Sequence, residues 1–372
     1  MRMKILFSAE KFYPPVSGAE RNVLNLFREL SKKHEVEGIC TGEKNQIIEH
    51  EGIKIYHVKT PFSHLRSWVK RYFLNKLWFN VFDSFLKKRD YDLVVTQTEL
   101  TPASTIIAKK YKIPTLIFVR DYQHFCLSIL RDVEIPKKHN CLKHATWKYK
   151  IQYPFFKKTI EWFKIAFEKA DIVITNSKFV QKVAKEYGVE SEVIYPFVKI
   201  KKYKTKVKNP KYITLVRPCI RKGVDIFLSI ADRLPNKEFL AVGDTERFKE
   251  LKRRENIKYV PWTDDMGSIY AQTKILLLPS IWQEPSSSVP LEAMCNGIPC
   301  IVSNTGGTPE KVENAGIIID DLFNVDAWVN AIERLEDKNF YKNLSNKGRK
   351  QVKKFSFEEQ YKKFEKTIEK FK

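Results

Sequence analysis

Residues 274–307 read KILLLPSIWQEPSSSVPLEAMCNGIPCIVSNTGG. The run Ile275–Leu278 is too short for a buried helix and stops at Pro279, so it reads as a strand covered on both faces. Pro290 suits the first turn of a helix, a serine before it supplies the cap, and Gly297 marks the end. The run PCIVSN (299–304) then starts a second buried strand. Strand, helix and strand in one short segment fit the alternation of a parallel sheet with helices on both faces. In this reading Glu284 lies in the loop before the helix and Glu292 in its first turns. Both carboxylates fall at the carboxyl edge of a parallel sheet, where such sheets bind ligands.

The same alternation runs through the chain. KILFSA, EVEGICTG, IKIYHV, DLVVTQT, TLIFV, DIVITNS and SEVIYPF read as strands in the first half. AERNVLNLFRELSKKH carries one apolar face at positions 23, 24, 26, 27 and 30, and SKFVQKVAKEYG runs from a serine cap to Gly188. After the lysine-dense stretch Lys199–Lys211 the pattern restarts with YITLVR, EFLAVG, IKYVPW, KILLLPS, PCIVSN and AGIIID. The expected architecture is α/β, with two Rossmann-like doubly wound domains. Residues 1–198 form the first and 199–355 the second. A capped amphipathic helix over 356–372 packs back on the first.

A length of 372 residues accommodates two such domains. No apolar run reaches membrane-spanning length, and the amino terminus reads as a strand, not a cleavable leader, which implies a cytoplasmic protein. The net charge of +23 calls for an anionic partner. Basic and aromatic residues interleave in Leu65–Tyr91 and again in Lys137–Lys169. Such helices either lie in an anionic membrane interface or turn their aromatics into the core and solvate their lysines. The six cysteines form no CxxC pair and read as buried free thiols. Cys126, His139, Cys141 and His144 match no standard zinc spacing, so no metal site is expected. Asp90-Tyr91-Asp92 runs straight into a strand and reads as that strand's entrance, not as a metal-held nucleotide motif.

The chain lacks GxGxxG after its first strand, GxxxxGK[ST], GxSxG and HExxH. What remains is a set of loops that follow strands. Gly18 precedes a helix amino terminus, where free N–H groups favour an anion; a glycine that merely eases a turn is the plainer alternative. Arg217 and Lys222 flank the turn after YITLV, and two cations there suit a diphosphate. Glu284 and Glu292 are poor phosphate ligands and good acceptors for sugar hydroxyls. A nucleotide sugar offers two such hydroxyl sets, on its ribose and on its hexose.

Glu284-x7-Glu292 followed by EAMCNGIPCIVSNTGGTPEKVENAGIII resembles the retaining glycosyltransferases of family 4, which have the two-domain GT-B fold with the domains facing each other across a cleft. The resemblance covers nearly the whole chain, through YPPVSGAERNVLNL, RDYQHFC, TNSKFVQKVAKEYG, VIYPFV and VRPCIRKGVDIFL. It implies that Arg217 and Lys222 hold the donor diphosphate, Glu292 the ribose and Glu284 the transferred sugar. Gly18 would approach the phosphates, Trp262 the base, and the segment Ser286, Ser287, Ser288 and Val289 would line the donor site. It further implies a UDP- or GDP-sugar donor, no required cofactor or metal, and a glycan or lipid-linked acceptor. Two departures stand out. Arg120 precedes Asp121 where the family has histidine, leaving an anionic sugar or acceptor as ligand for Arg120, with His124 as partial substitute. Ser286-Ser287 replaces Phe-Gly, which adds hydroxyls and narrows the pocket.

The resemblance thus implies a metal-independent hexosyltransferase, expected to be peripheral on the cytoplasmic membrane face and to act in cell-surface polysaccharide or glycoconjugate synthesis. The alternatives are a nucleotide-sugar epimerase of the same fold and a basic nucleic-acid-binding protein. No nucleic acid is expected as partner, since the basic clusters lie outside any recognised binding motif.

Overall fold

A computed structural model describes residues 2–15, 18–61, 68–122, 124–125 and 147–371. These divide into two compact units, one running to Phe197 and resumed from Gln360, the other running from Val198 to Glu359. The cluster Cys126, His139, Cys141 and His144 lies outside the described residues.

The first unit is laid out as β1 (Lys4–Ala9), α1 (Gly18–Leu30), β2 (Glu35–Gly42), β3 (Gln46–His50), β4 (Ile53–Lys59), α2 (Trp68–Leu86), β5 (Leu93–Gln97), α3 (Thr101–Lys110), β6 (Thr115–Val119), α4 (Trp147–Lys169), β7 (Ile172–Thr175), α5 (Lys178–Glu186) and β8 (Glu192–Val193). The sheet order is β3-β4-β2-β1-β5-β6-β7-β8, parallel except that β3 runs antiparallel to β4. Among the described strands, β3 is the one the sequence reading missed. The two-residue turn of this edge hairpin, Glu51-Gly52, has φ of 50° and 76°, the left-handed pair that a tight hairpin needs.

β5 and β6 are buried along their whole length, as their unbroken apolar runs require. Ser8 Oγ and Ser104 Oγ lie 2.8 Å apart in the core, and Trp78 Nε1 donates to both at 3.2 Å, tying β1 to α2 and α3. The five apolar positions of α1 are its buried face, and Ser177 Oγ caps α5 by accepting from Val180 N at 3.1 Å. Asp92 Oδ2 accepts from Lys4 N at 2.6 Å, so the Asp-x-Asp residues mark a strand entrance.

The two aromatic-basic segments contribute α2 and α4, and much of their aromatic content turns into the core, as the second reading expects. Trp78, Phe82, Phe156, Phe163 and Phe167 are core. Tyr72 stacks on Trp162 with ring centroids 5.1 Å apart, joining the two helices. Trp147 and Ile151, one turn apart on α4, are 67% and 64% exposed among exposed Lys150, Lys157 and Lys158. No helix among the described residues is long and apolar enough to cross a membrane.

The second unit is laid out as β9 (Tyr212–Val216), α6 (Val224–Arg233), β10 (Phe239–Val242), α7 (Phe248–Lys252), β11 (Ile257–Val260), α8 (Met266–Gln272), β12 (Thr273–Leu278), α9 (Val289–Met294), β13 (Cys300–Ser303), α10 (Pro309–Val312), β14 (Ile317–Ile319), α11 (Val325–Arg334) and α12 (Lys338–Gln351). Its sheet order is β11-β10-β9-β12-β13-β14. The chain builds outward from β9, then returns to lay β12 on β9's other side. That reversal is the switch point where open parallel sheets bind ligands. Phe227, Phe239 and Trp328 fill the core beneath it. A last helix, α13 (Phe357–Ile368), belongs largely to the first unit, where Phe364 stacks on Phe118 and Gln360 Oε1 accepts from Tyr195 N at 3.0 Å.

Candidate active site

The site of the second unit grows from the ends of β9 and β12. At Arg217 the backbone leaves β9 with φ of 59°, a conformation that residues other than glycine seldom adopt. Two bonds hold this kink: Arg217 N donates to Val242 O at 2.7 Å, and Arg217 O accepts from Cys219 N at 2.8 Å. The side chain is exposed, with its guanidinium carbon 5.0 Å from the centroid of the Trp262 ring. A short turn over Ile220–Lys222 leads to Gly223 at φ 76°. A Cβ there would lie 1.8 Å from Pro279 O, so glycine is required twice, by conformation and by space.

The loop after β12 is tied to this turn. Ile281 N and Trp282 N donate to Arg221 O at 3.2 and 3.3 Å. Glu284 O accepts from Gly307 N at 2.7 Å, and Gly306 at φ 57° packs so closely that a Cβ would meet Glu284 O at 2.2 Å. Thus fixed, the Glu284 carboxylate forms an ion pair with Lys222 Nζ. Both side chains are mostly buried, at 11% and 14% exposure.

Glu292 is buried on the first turn of α9. Its Oε1 accepts from Ser288 Oγ at 2.7 Å and its Oε2 from Tyr270 OH at 2.8 Å. Burial pushes this carboxyl above the usual range, against the two hydroxyls and the charge of Arg217. The cap of α9 departs from the sequence expectation. Ser288 occupies the cap position, yet its hydroxyl makes no cap bond, because it donates to Glu292 instead. Pro290 and Gly297 take their expected places, with Gly297 N donating to Met294 O at 2.9 Å. Ser287 is buried, Val289 is the first residue of α9, and the Ser286 hydroxyl is buried with no hydrogen-bond partner among the described residues. Trp262 remains 39% exposed.

One short sheet edge therefore presents two cations, an aromatic face and two carboxylates, a set able to take an anion and two groups of hydroxyls. Sequence reasoning did not find Tyr270 or Trp282. A buried tyrosine on a helix carries no signal of a partner 22 residues on, and Trp282 gains meaning only beside Arg221 and Lys222, whose charged ends lie 5.6 and 5.8 Å from its ring.

In the first unit Gly18 begins α1 without a positive φ, and a Cβ there would meet nothing within 4 Å. Nothing inside the described structure demands glycine at this point. Arg120 follows β6 and is buried, its Nε donating to Gln97 Oε1 at 2.9 Å and its guanidinium carbon 4.4 Å from the Phe118 ring. Nη2 is buried without a partner among the described residues, and burial lowers the guanidinium's pKa. Asp121 is half-buried beside it. His124 is buried 4.6 Å from the Phe163 ring, and desolvation lowers its pKa to about 4, with Asp121 pulling the other way. Glu10–Lys70 at 2.7 Å and Arg71–Glu99 at 2.8 Å add two ion pairs that sequence reasoning did not find. Burial raises Glu99 to about 7, and the nearby charges of Glu10 and Asp121 add to that.

The family model described as Glycosyltransferase Family 4 matches residues 16–202, half of the chain. The chain belongs to glycosyltransferase family 4. A second model, Glycosyl transferases group 1, matches residues 197–351 of this family 4 protein. Among curated relatives, an Escherichia coli UDP-Gal:alpha-D-GlcNAc-diphosphoundecaprenol alpha-1,3-galactosyltransferase is 30% identical over 129 residues, about a third of either chain (32% and 33%). An uncharacterized 42.6 kDa protein in the cps region of Klebsiella pneumoniae is 26% identical over 344 residues, covering 83% of this chain and 87% of that one. The solved structure of sucrose-phosphate synthase from Thermosynechococcus elongatus superposes with a TM-score of 0.76 at 16% identity, over 99% of this chain and 98% of that one. The two parallel-sheet domains are thus those of the GT-B fold.

Proposed function

We propose that this family 4 glycosyltransferase moves a hexose, with retention of anomeric configuration, from a UDP- or GDP-sugar to a lipid-linked or glycan acceptor. The observation that carries the reading is the convergence of Arg217, Lys222, Glu284 and Glu292 at the switch point between β9 and β12. Arg217 and Lys222 would bind the diphosphate and neutralise the charge that grows as it leaves, without a metal. Glu292 would accept from the ribose diol and Glu284 from the hexose. Trp262 and the segment Ser286–Val289 would line the base and sugar pockets, and Gly18 would let the first unit's backbone approach the phosphates. Arg120 and Asp121 would bind the acceptor or the transferred sugar near the reacting carbon. Attack on the same face that the diphosphate leaves, with a phosphate oxygen taking the acceptor's proton, accounts for retention.

The Escherichia coli relative named above uses a UDP-sugar and a polyprenol diphosphate, which supports a lipid-linked acceptor in cell-surface polysaccharide or glycoconjugate synthesis. The exposed Trp147 and Ile151, set among lysines on α4, support docking on an anionic membrane face. The test is a thermal-shift panel of UDP, GDP and ADP with their sugars, followed by NMR of the product anomer with and without EDTA. One nucleotide and its sugar should raise the melting temperature, because only the folded state binds them. The product should be retained and EDTA without effect. No shift with any nucleotide, or an inverted product, would overturn the reading.

A further inference from the structure

In the free protein the Lys222 ammonium is already engaged, by Glu284. The pair is mostly enclosed, and Gly306 and Gly307 hold the Glu284 backbone in place from the β13 side. We propose that Glu284 is the counter-charge by which the site distinguishes a sugar nucleotide from the spent nucleoside diphosphate, disfavouring the latter. This rests on the reading of Arg217 and Lys222 as diphosphate ligands.

The argument is one of charge and donors. When a sugar nucleotide enters, its hexose hydroxyls supply Glu284 with hydrogen bonds, and Lys222 is released to the phosphates. Once the hexose has been transferred, those hydroxyls leave with it. The terminal phosphate of the bare diphosphate then keeps only its anhydride link, and carries roughly one further negative charge at neutral pH because such a terminal phosphate has a second pKa of about 6. Glu284 now either retakes Lys222 from the phosphate or stands unpaired beside a more negative ligand. Both outcomes weaken the bare nucleotide, and a mostly buried carboxylate feels them with little solvent screening. A carboxylate suits this task better than an amide, which can still hydrogen-bond hexose hydroxyls but carries no charge with which to contest the lysine.

The experiment is calorimetric titration of wild type, Glu284→Gln, Glu284→Asp and Arg217→Ala with UDP, GDP, UDP-glucose and GDP-mannose at fixed ionic strength, with circular dichroism melts as folding control. Glu284→Gln should bind the bare diphosphate about tenfold more tightly than wild type, and the sugar nucleotide no more tightly. Product inhibition should strengthen in parallel. Glu284→Asp keeps the charge and should keep the wild-type preference. Arg217→Ala should weaken bare and sugar-bearing nucleotide alike. If Arg217→Ala does so while Glu284→Gln leaves the bare diphosphate unchanged or weaker, the inference is wrong and the diphosphate site stands. If Glu284→Asp tightens the bare diphosphate as much as Glu284→Gln, charge is not the cause and the inference is again overturned. If Arg217→Ala changes no nucleotide's affinity, or wild type binds none of the four, the site assignment itself falls and the inference with it.

Discussion

Replacing Glu292 by glutamine should separate ribose recognition from every other contact in the site. A carboxylate offers about four lone-pair positions. Ser288 Oγ at 2.7 Å and Tyr270 OH at 2.8 Å use two of them, one on each oxygen. Two remain, the number that the 2′- and 3′-hydroxyls of a ribose require. In the amide of the Glu292→Gln variant only one oxygen accepts, and at least one of the two protein hydroxyls will keep it. The diol is then left with one uncharged acceptor. Losing one charge-assisted bond, at about 1.5–3 kcal/mol, and weakening the other by roughly half costs about 2–4 kcal/mol, or some 30- to 1000-fold in Kd.

The assay is calorimetric titration with the nucleoside diphosphate that binds best and with its 2′-deoxy counterpart. Wild type should prefer the ribose form by about tenfold, and Glu292→Gln should reduce that preference to about threefold or less. The variant should not be a damaged protein. Burial raises the Glu292 carboxyl above its unfolded value. Its contribution to stability is therefore full below that value and is lost as pH rises through the folded one, so a permanently neutral amide escapes the burial penalty that falls on the charged form. Equal weakening of ribose and deoxyribose forms, or affinity within threefold of wild type, would refute the assignment of Glu292 to the ribose.

Gly223→Ala should lower stability by about 3 kcal/mol or more, because a left-handed φ and a Cβ 1.8 Å from Pro279 O cannot both be relieved locally; Gly18→Ala, whose Cβ meets nothing, should leave the melting temperature unchanged while slowing turnover. Thermal melts and a transfer assay check the pair. His124 should make the fold acid-sensitive. Its folded pKa of about 4 lies below the ordinary value of 6.5, so the stability it contributes is present above pH 6.5 and is lost as pH falls toward 4, about 3 kcal/mol in all. His124→Gln should flatten that part of the melting-temperature profile, and an unchanged slope would count against the burial argument. Wild type should sediment with vesicles rich in phosphatidylglycerol and less with phosphatidylcholine vesicles. A Trp147→Ser, Ile151→Ser double variant should bind at least tenfold more weakly, since each buried side chain contributes about 1.5–3 kcal/mol; wild type that binds neither vesicle removes the membrane face.

The sequence alone was enough to place the parallel strands of both units, the buried face of α1, the cap of α5 and the family, because each is written in contiguous residues. An apolar run of four to six residues between turn signals has few alternatives, and a period of 3.6 declares its own face. The hairpin strand β3 escaped because Gln46–His50 alternates weakly and its turn depends on a left-handed Glu51, which sequence does not announce. The candidate residues Arg217, Lys222, Glu284 and Glu292 were legible as types in loops, but their partners were not. Lys222 meets Glu284 across 62 positions, Arg120 meets Gln97 across 23, and Ser288 turns from its cap bond to Glu292. Those pairings depend on which strand ends lie side by side. Only the tertiary structure, by laying β12 against β9 and β6 against β5, decided which charge faces which. The physical reason is range: backbone periodicity is set by neighbours in the chain, whereas a side chain's electrostatic partner is set by the order of strands in a sheet.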